Sequence, residues 1–331
     1  MDRTLTARHD RFALTRPFRI SRGVKTGADV ITVSISDGGE TGRGEGVPYL
    51  RYGESVASAL DSIEAARRDI EAGTDRQNLL SLLPAGAARN AIDCALWDLE
   101  ARLSGRTVAQ QIGAPEPETL ASALTVVIGT SESMAEDAAA IADAPLIKVK
   151  VDAREPAAQV RAVRAAAPKS RLIVDPNESW NRALVEEMQA MLVEAEVALL
   201  EQPVPADEDA WLEGFTSAIP ICADESVHVA ADLDVVARRY QAINVKLDKA
   251  GGLTAALELA NAARARGLGL MTGCMVSSSL SIAPALHIAR MSDFADLDGP
   301  IWLKHDRAGG VRDVGGILSP PETGFWGTIG E

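Results

Sequence analysis

The sequence predicts an α/β fold: a parallel barrel of the TIM type, in (β/α)7β or (β/α)8 form, preceded by a smaller α+β domain. Two observations carry this. From residue 118 onward, eight short apolar segments (SALTVVIG, LIKVKVD, RLIVDPN, VALLEQP, IPICADE, AINVKLD, LGLMTGC and FADLDGP) each begin about 22 to 27 residues after the last, the spacing of successive βα units. The stretches between them are alanine-rich and suited to helices. No G-x-G-x-x-G follows the first strand, which favours closure over a doubly wound open sheet.

The first domain spans residues 1–117. Between about residues 11 and 50 the pattern is β. Ile31, Val33 and Ile35 alternate with Thr32, Ser34 and Ser36, and Asp37-Gly38-Gly39 marks a hairpin turn. In ARNAIDCALWDLEARLSG, Ile92, Leu96, Leu99 and Leu103 fall on one helical stripe that stops at Gly105, a residue type common just past a helix end. GAPEPE, residues 113–118, reads as a linker into the barrel of residues 118–302.

Composition narrows the function. A chain of 331 residues, 47% of them hydrophobic, can bury a large core. No apolar run reaches the roughly 18 residues of a membrane span. The charged start, MDRTLTARHDRF, lacks a signal peptide's apolar segment, so a cytoplasmic location is expected. Cys94, Cys222 and Cys274 lack C-x-x-C spacing and read as buried thiols, and the histidines form no metal-binding pair. A net charge of −14 argues against nucleic acid, whose phosphates need a basic face. A small-molecule partner is expected, and a homo-oligomer is compatible with the sequence. GRGEG (42–46) precedes no helix and is no dinucleotide fingerprint. No local motif pairs a serine or cysteine with a histidine for nucleophilic hydrolysis.

Polar residues recur at the carboxyl ends of the strands: Lys148 and Lys150, Asp175 and Asn177, Glu201, Asp224 and Glu225, Lys246 and Asp248, Asp296 and Asp298. In a parallel barrel those ends meet at one mouth. An aspartate at a strand exit is an ordinary turn residue, but solvation does not explain lysines inside apolar strands. Lys148 and Lys150 share one face of their strand, opposite Ile147, Val149 and Val151. Asp175, Glu201 and Asp224 come from adjacent strands, and three unpaired carboxylates meeting there repel unless a cation joins them. Oxygen-only ligation selects a hard ion, one Mg2+ per site with positions left for substrate oxygens. Lys150 and Lys246 flank that position. The dication, and for Lys150 the neighbouring Lys148, would lower their pKa toward that of a usable base. One base on each face suits removal of a proton α to a carboxylate from one side and its return on the other.

These residues resemble the enolase superfamily in its muconate-lactonising subgroup, most specifically the dipeptide epimerases of L-Ala-D/L-Glu. KVK, DPNESW, LEQP, CADES, NVKLDKAGG and DLDGP occur in order, and RYGES and LPAGAARNAIDCALWDLEARLSG extend the likeness into the first domain. The resemblance implies that Lys150 and Lys246 are the acid/base pair, that Lys148 is the first lysine of K-x-K, and that Asp175, Glu201 and Asp224 hold Mg2+. It implies that Asp296 and Asp298 receive the substrate's free ammonium, and Asn177 and Glu225 are expected beside the ligands as support. It further implies a first domain that caps the barrel mouth, completed by residues 303–331, and an isomerase that epimerises the C-terminal residue of a dipeptide in murein peptide metabolism. Pro176 stands where relatives often have alanine; it stiffens the turn and removes no ligand.

Cycloisomerase, o-succinylbenzoate synthase and N-succinylamino acid racemase are the enzymatic alternatives. Their substrates carry no ammonium for Asp296 and Asp298 to meet. A barrel that binds without catalysis is the alternative from another class; all five core positions keep competent residues. For the substrate side-chain carboxylate, RFALTRPFRISRGVKTGA offers Arg11, Arg16, Arg19, Arg22 and Lys25. Arg22 is the expected receiver, with Tyr49 and Arg51 as further candidates from the second capping loop.

Overall fold

The computed structural model describes residues 3–329. Strands β1 (Thr4–Ile20), β2 (Gly23–Asp37) and β3 (Glu40–Gly46) form an antiparallel meander, followed by helices α1 (Val56–Glu71), α2 (Arg76–Leu82), α3 (Ala87–Ser104) and α4 (Val108–Ile112). Alternation along β2 sends Ile31, Val33 and Ile35 into a core with Ile92, Leu96 and Leu99 of α3. Each such side chain contributes about 1.5–3 kcal/mol by leaving water. Gly105 ends α3 in the left-handed conformation, as its position indicates. Leu103, expected on the same buried stripe, is 47% exposed. It reaches the β2–β3 hairpin at Gly38, where the sheet stops.

GRGEG has a packing purpose. A β-carbon at Gly42, Gly44 or Gly46 would lie 2.2, 2.1 or 2.1 Å from the carbonyl oxygens of Ala95, Ala91 and Ala87 respectively. Glycine at every second strand position therefore lets β3 rest directly on successive turns of α3.

After β4 (Leu120–Ala121), eight parallel strands pair in chain order: β5 (Leu124–Val126), β6 (Leu146–Lys150), β7 (Arg171–Asp175), β8 (Val197–Glu201), β9 (Ile221–Ala223), β10 (Ala242–Val245), β11 (Gly269–Gly273) and β12 (Phe294–Asp296). The ring closes where Ala123 N donates to Ala295 O at 2.8 Å and Leu297 N to Ser122 Oγ at 2.9 Å. Helices α5 (Ser131–Ala140), α6 (Pro156–Ala166), α7 (Arg182–Glu194), α8 (Leu233–Arg239), α9 (Leu247–Ala250), α10 (Leu253–Ala265) and α11 (Ser279–Ala289) lie between the strands in sequence. The repeat is broken twice: a 3-10 turn, Ala210–Leu212, follows β8, and another, Gly299–Trp302, follows β12. Pro203, Pro205, Gly214 and Pro220 deny the first of these segments a full helix.

Period-two alternation gives the barrel its layers. Leu146, Ile173, Leu199, Cys222, Ala242 and Met271 form an apolar cluster in the lumen, while Ile147, Val149, Leu172 and Val174 join the outer core under the helices. One layer toward the carboxyl ends, the same inward faces carry charge.

The two halves of the molecule are stitched by buried polar contacts. Asp248 Oδ1 accepts from Val47 N and Asn90 Nδ2, both at 2.8 Å. Glu45 accepts from Ser278 N and Arg307 NH2, also at 2.8 Å, and Asp93 accepts from Thr254 N at 3.0 Å and Thr254 Oγ1 at 2.6 Å. Near the end of the chain, β13 (Arg312–Val314) and β14 (Ile317–Ser319) form a small sheet with β4. Beyond it, Trp326 Nε1 donates to the carbonyls of Arg43 and Cys94 at 2.9 and 3.1 Å. Among the described residues no helix is long and apolar enough to cross a membrane.

Gly44→Ala drives a methyl into the α3 backbone, which has no side chain to move aside. It is expected to lower unfolding stability in urea by about 1–3 kcal/mol. An unchanged midpoint would refute the close-packing role.

Candidate active site

Strand parity brings the predicted charges together. Lys148 Nζ lies 3.1 Å from Asp175 Oδ2, 2.7 Å from Glu201 Oε2 and 2.8 Å from Asp296 Oδ2. Lys150 Nζ donates to Asp175 Oδ2 at 2.5 Å, and on the other flank Lys246 Nζ donates to Asp224 Oδ2 at 2.7 Å. All of these groups are buried. Gly273 leaves room for Lys246: a β-carbon there would lie 2.9 Å from Lys246 Cε.

Two supports were not singled out by the sequence reading. Lys249, on α9, donates to Asp224 Oδ1 at 2.6 Å, and Asn244 Nδ2 donates to Glu201 Oε1 at 2.8 Å. The motif NVKLDKAGG contained both, but neither sits at a strand's last residue. Asn177 lies beside Asp175, its N–H donating to Asp175 Oδ1 at 2.8 Å.

The charges shape one another. Burial would raise Asp175 and Asp224, but the lysines outweigh it and hold Asp175 at about 2 and Asp224 well below the usual carboxylate range. Glu201, buried and next to Asp175, is raised. Burial would lower Lys148, yet Asp296, Glu201 and Asp175 hold it well above its ordinary value. Lys246 likewise lies above its ordinary value, because Asp224 outweighs burial. The carboxylate in direct contact thus acts opposite to the dication and neighbouring ammonium that the sequence reading counted, and a dication on Asp224 would weaken that pull.

The donor set fits a hard dication. Its oxygens come from three successive strands, and Glu201 Oε2 is buried without a hydrogen-bond partner, although Lys148 stands near it. Among the described residues no three of His, Cys, Asp and Glu are gathered tightly enough to close round an ion; ammonium groups stand between these oxygens. Asp175, Glu201 and Asp224 are the residues that would hold Mg2+.

Above this layer lies a cavity lined by Lys148, Lys150, Lys246, Asp224, Asp296 and Asp298, and at its rim by Arg22, Lys25 and Tyr49. Asp296 Oδ1 is buried and unpartnered. Asp298 Oδ2 accepts from Thr125 N at 3.0 Å and Trp302 Nε1 at 3.1 Å, and burial beside Asp296 pushes its carboxyl up to about 6. Both features favour a cationic guest. Cys274 also lines the cavity and is only partly buried, unlike Cys94 and Cys222. Its confined setting and the neighbouring carboxylates of Asp296 and Asp298 hold its thiol well above the ordinary range.

At the rim, two of the expected candidates are engaged by other side chains. Arg22 faces the cavity but is already engaged, donating to Glu225 Oε1 at 2.6 Å and Glu178 Oε2 at 3.1 Å. Arg51 does not line this cavity; it grips both oxygens of Glu178 at 2.8 Å. Lys25 is the rim cation left free: it stands 4.5 Å over the Tyr49 ring, burial lowers its amine, and among the described residues it has no ion-pair partner. Its sequence signal was weak, one lysine in a run of arginines.

Residues 2–113 match the profile of the mandelate racemase / muconate lactonizing enzyme N-terminal domain, and residues 133–323 the enolase C-terminal domain-like profile. An L-Ala-D/L-Glu epimerase of Escherichia coli is 47% identical, over 92% of this chain and 95% of its own length. An N-acetyl-D-glutamate racemase of a Pseudoalteromonas species is 43% identical, over 90% and 95%. An enolase family member from Agrobacterium tumefaciens with homology to dipeptide epimerases, solved with bound sodium and L-Ala-L-Glu, superposes with a TM-score of 0.95 at 46% identity, covering 98% of this chain and 99% of that one.

Glu201→Gln removes one ligand charge from beneath the cavity while keeping its shape. Calorimetry should show Mg2+ binding severely weakened with the fold retained; undiminished affinity would refute the ligand assignment.

Proposed function

Because this chain belongs to the enolase superfamily, with the mandelate racemase / muconate lactonizing type of N-terminal domain, we propose that it is a Mg2+-dependent dipeptide epimerase acting on the C-terminal residue of L-Ala-D/L-Glu. The observation that carries this is the arrival of Lys150 and Lys246 from opposite flanks of the carboxylates. Asp175, Glu201 and Asp224 would hold Mg2+, which would supply the positive charge that stabilises an enolate formed α to the substrate carboxylate.

The chain's own groups do the rest. Lys150 Nζ serves one face of the α-carbon and Lys246 Nζ the other: a neutral amine takes the proton, and the opposite ammonium delivers one to the far face. Lys148, held protonated by three carboxylates, keeps the layer electrically balanced. Asp296 and Asp298 receive the substrate ammonium. Lys25, with Tyr49 against it, receives the side-chain carboxylate that Arg22 is too engaged to take. Residues 1–117, completed by 303–331, act as the cap on the barrel of 118–302. A cytoplasmic role in the turnover of murein peptides fits this substrate.

In D2O, wild type should incorporate deuterium while interconverting L-Ala-D-Glu and L-Ala-L-Glu. Lys150→Ala and Lys246→Ala should each stop epimerisation, with any residual exchange confined to opposite diastereomers. Near wild-type epimerisation by either variant would overturn the two-base reading, and equal turnover of N-acetylglutamate would overturn the ammonium site.

Lys25→Met should lose activity on L-Ala-L-Glu selectively, leaving L-Ala-L-Met turned over at least as well as before. Equal losses on the two dipeptides would remove Lys25 from the side-chain pocket.

A further inference from the structure

Gln202 follows the carboxylate of Glu201 and precedes Pro203, yet its backbone lies in the left-handed region at φ 32°. A side chain with a β-carbon rarely sits there, and such strain persists where the surroundings over-determine it. Here they do. The Gln202 carbonyl accepts from Glu178 N at 2.9 Å, and its N–H donates to Cys222 O at 2.8 Å. Its Oε1 accepts from Asp224 N at 2.8 Å and Ser226 N at 3.1 Å. Its Nε2, with two hydrogens to give, stands within hydrogen-bond distance of Val204 O at 3.0 Å, Ser226 Oγ at 2.9 Å and Tyr240 OH at 3.0 Å.

One fully buried residue thus ties together the chain just beyond Asp175, just beyond Glu201 and at Asp224. These are the three exits whose carboxylates must converge. Behind it stands Asp209, whose Oδ2 accepts from Tyr240 OH at 2.6 Å and Ser226 Oγ at 2.7 Å. Asp209 comes from the irregular segment that replaces a helix after β8, so the break in the barrel's repeat delivers the group that anchors this network. Gln202, Asp209, Ser226 and Tyr240 do not line the cavity.

We propose that Gln202, backed by Tyr240 and Asp209, is a positioning residue for the Mg2+ site, holding three mutually repelling carboxylates at fixed spacing from three separate loops. This rests on the reading of Asp175, Glu201 and Asp224 as the Mg2+ ligands. Outer partners of metal ligands act in this way, by orienting groups they do not replace.

The test is Mg2+ calorimetry on wild type, Gln202→Leu and Tyr240→Phe, with kcat measured at saturating Mg2+. Gln202→Leu should bind Mg2+ about 10- to 100-fold more weakly, and Tyr240→Phe should shift the same way by a smaller factor. In both, kcat should recover at high Mg2+ far more than at limiting Mg2+. Tyr240→Phe keeps the ring's shape and carries the test should Gln202→Leu fail to fold. Mg2+ affinity within about twofold of wild type in the folded variants, whatever their melting temperature, overturns the positioning role. Wild type that binds no Mg2+ overturns the ligand reading itself, and the inference with it.

Discussion

Four carboxylates and four lysines meet, buried, at one end of the barrel, and their mutual neutralisation is the condition on which the site depends. Asp175, Glu201, Asp224 and Asp296 are matched by Lys148, Lys150, Lys246 and Lys249. Stripping one partner from such a cluster leaves an uncompensated charge, at a cost of about 3–5 kcal/mol. The strands must therefore deliver every member in register. The apolar layer beneath does this, since Leu146, Ile173, Leu199 and Cys222 cannot pack inward without turning Lys148, Asp175, Glu201 and Asp224, two places further on, inward too.

That coupling explains why the barrel and its inner charges were legible in the sequence. Strand spacing and strand parity are local properties, and a lysine in an apolar strand stands out against its neighbours. What escaped depends on residues distant in the chain. Arg22 looked the better anion receiver than Lys25 until Glu225 and Glu178, far along the sequence, proved to occupy its guanidinium. The contact between Lys246 and Asp224 escaped for the same reason, the two lying on different strands. Leu103 kept the helical period but ran past the edge of the sheet that would have covered it.

The segment after β8 escaped the reading of the interstrand stretches as helices. Pro203, Pro205, Gly214 and Pro220 are visible helix breakers, yet they say only what will not form. What forms instead, a path that brings Asp209 to Tyr240, needs the strand order to be known first. Gln202 is a similar case: its five side-chain contacts lie on three different stretches of chain, and no pattern in one dimension displays them.

The seam between the N-terminal domain and the barrel has a consequence for inheritance. It is drawn by directional hydrogen bonds: Glu45 to Ser278, Asn90 to Asp248 and Asp93 to Thr254. Such a join has a single register, and a mismatched partner would leave carboxylates buried without donors. A chimera that borrowed the N-terminal domain of a relative would need these pairs transplanted as a set. The two domains are thus one unit of recombination.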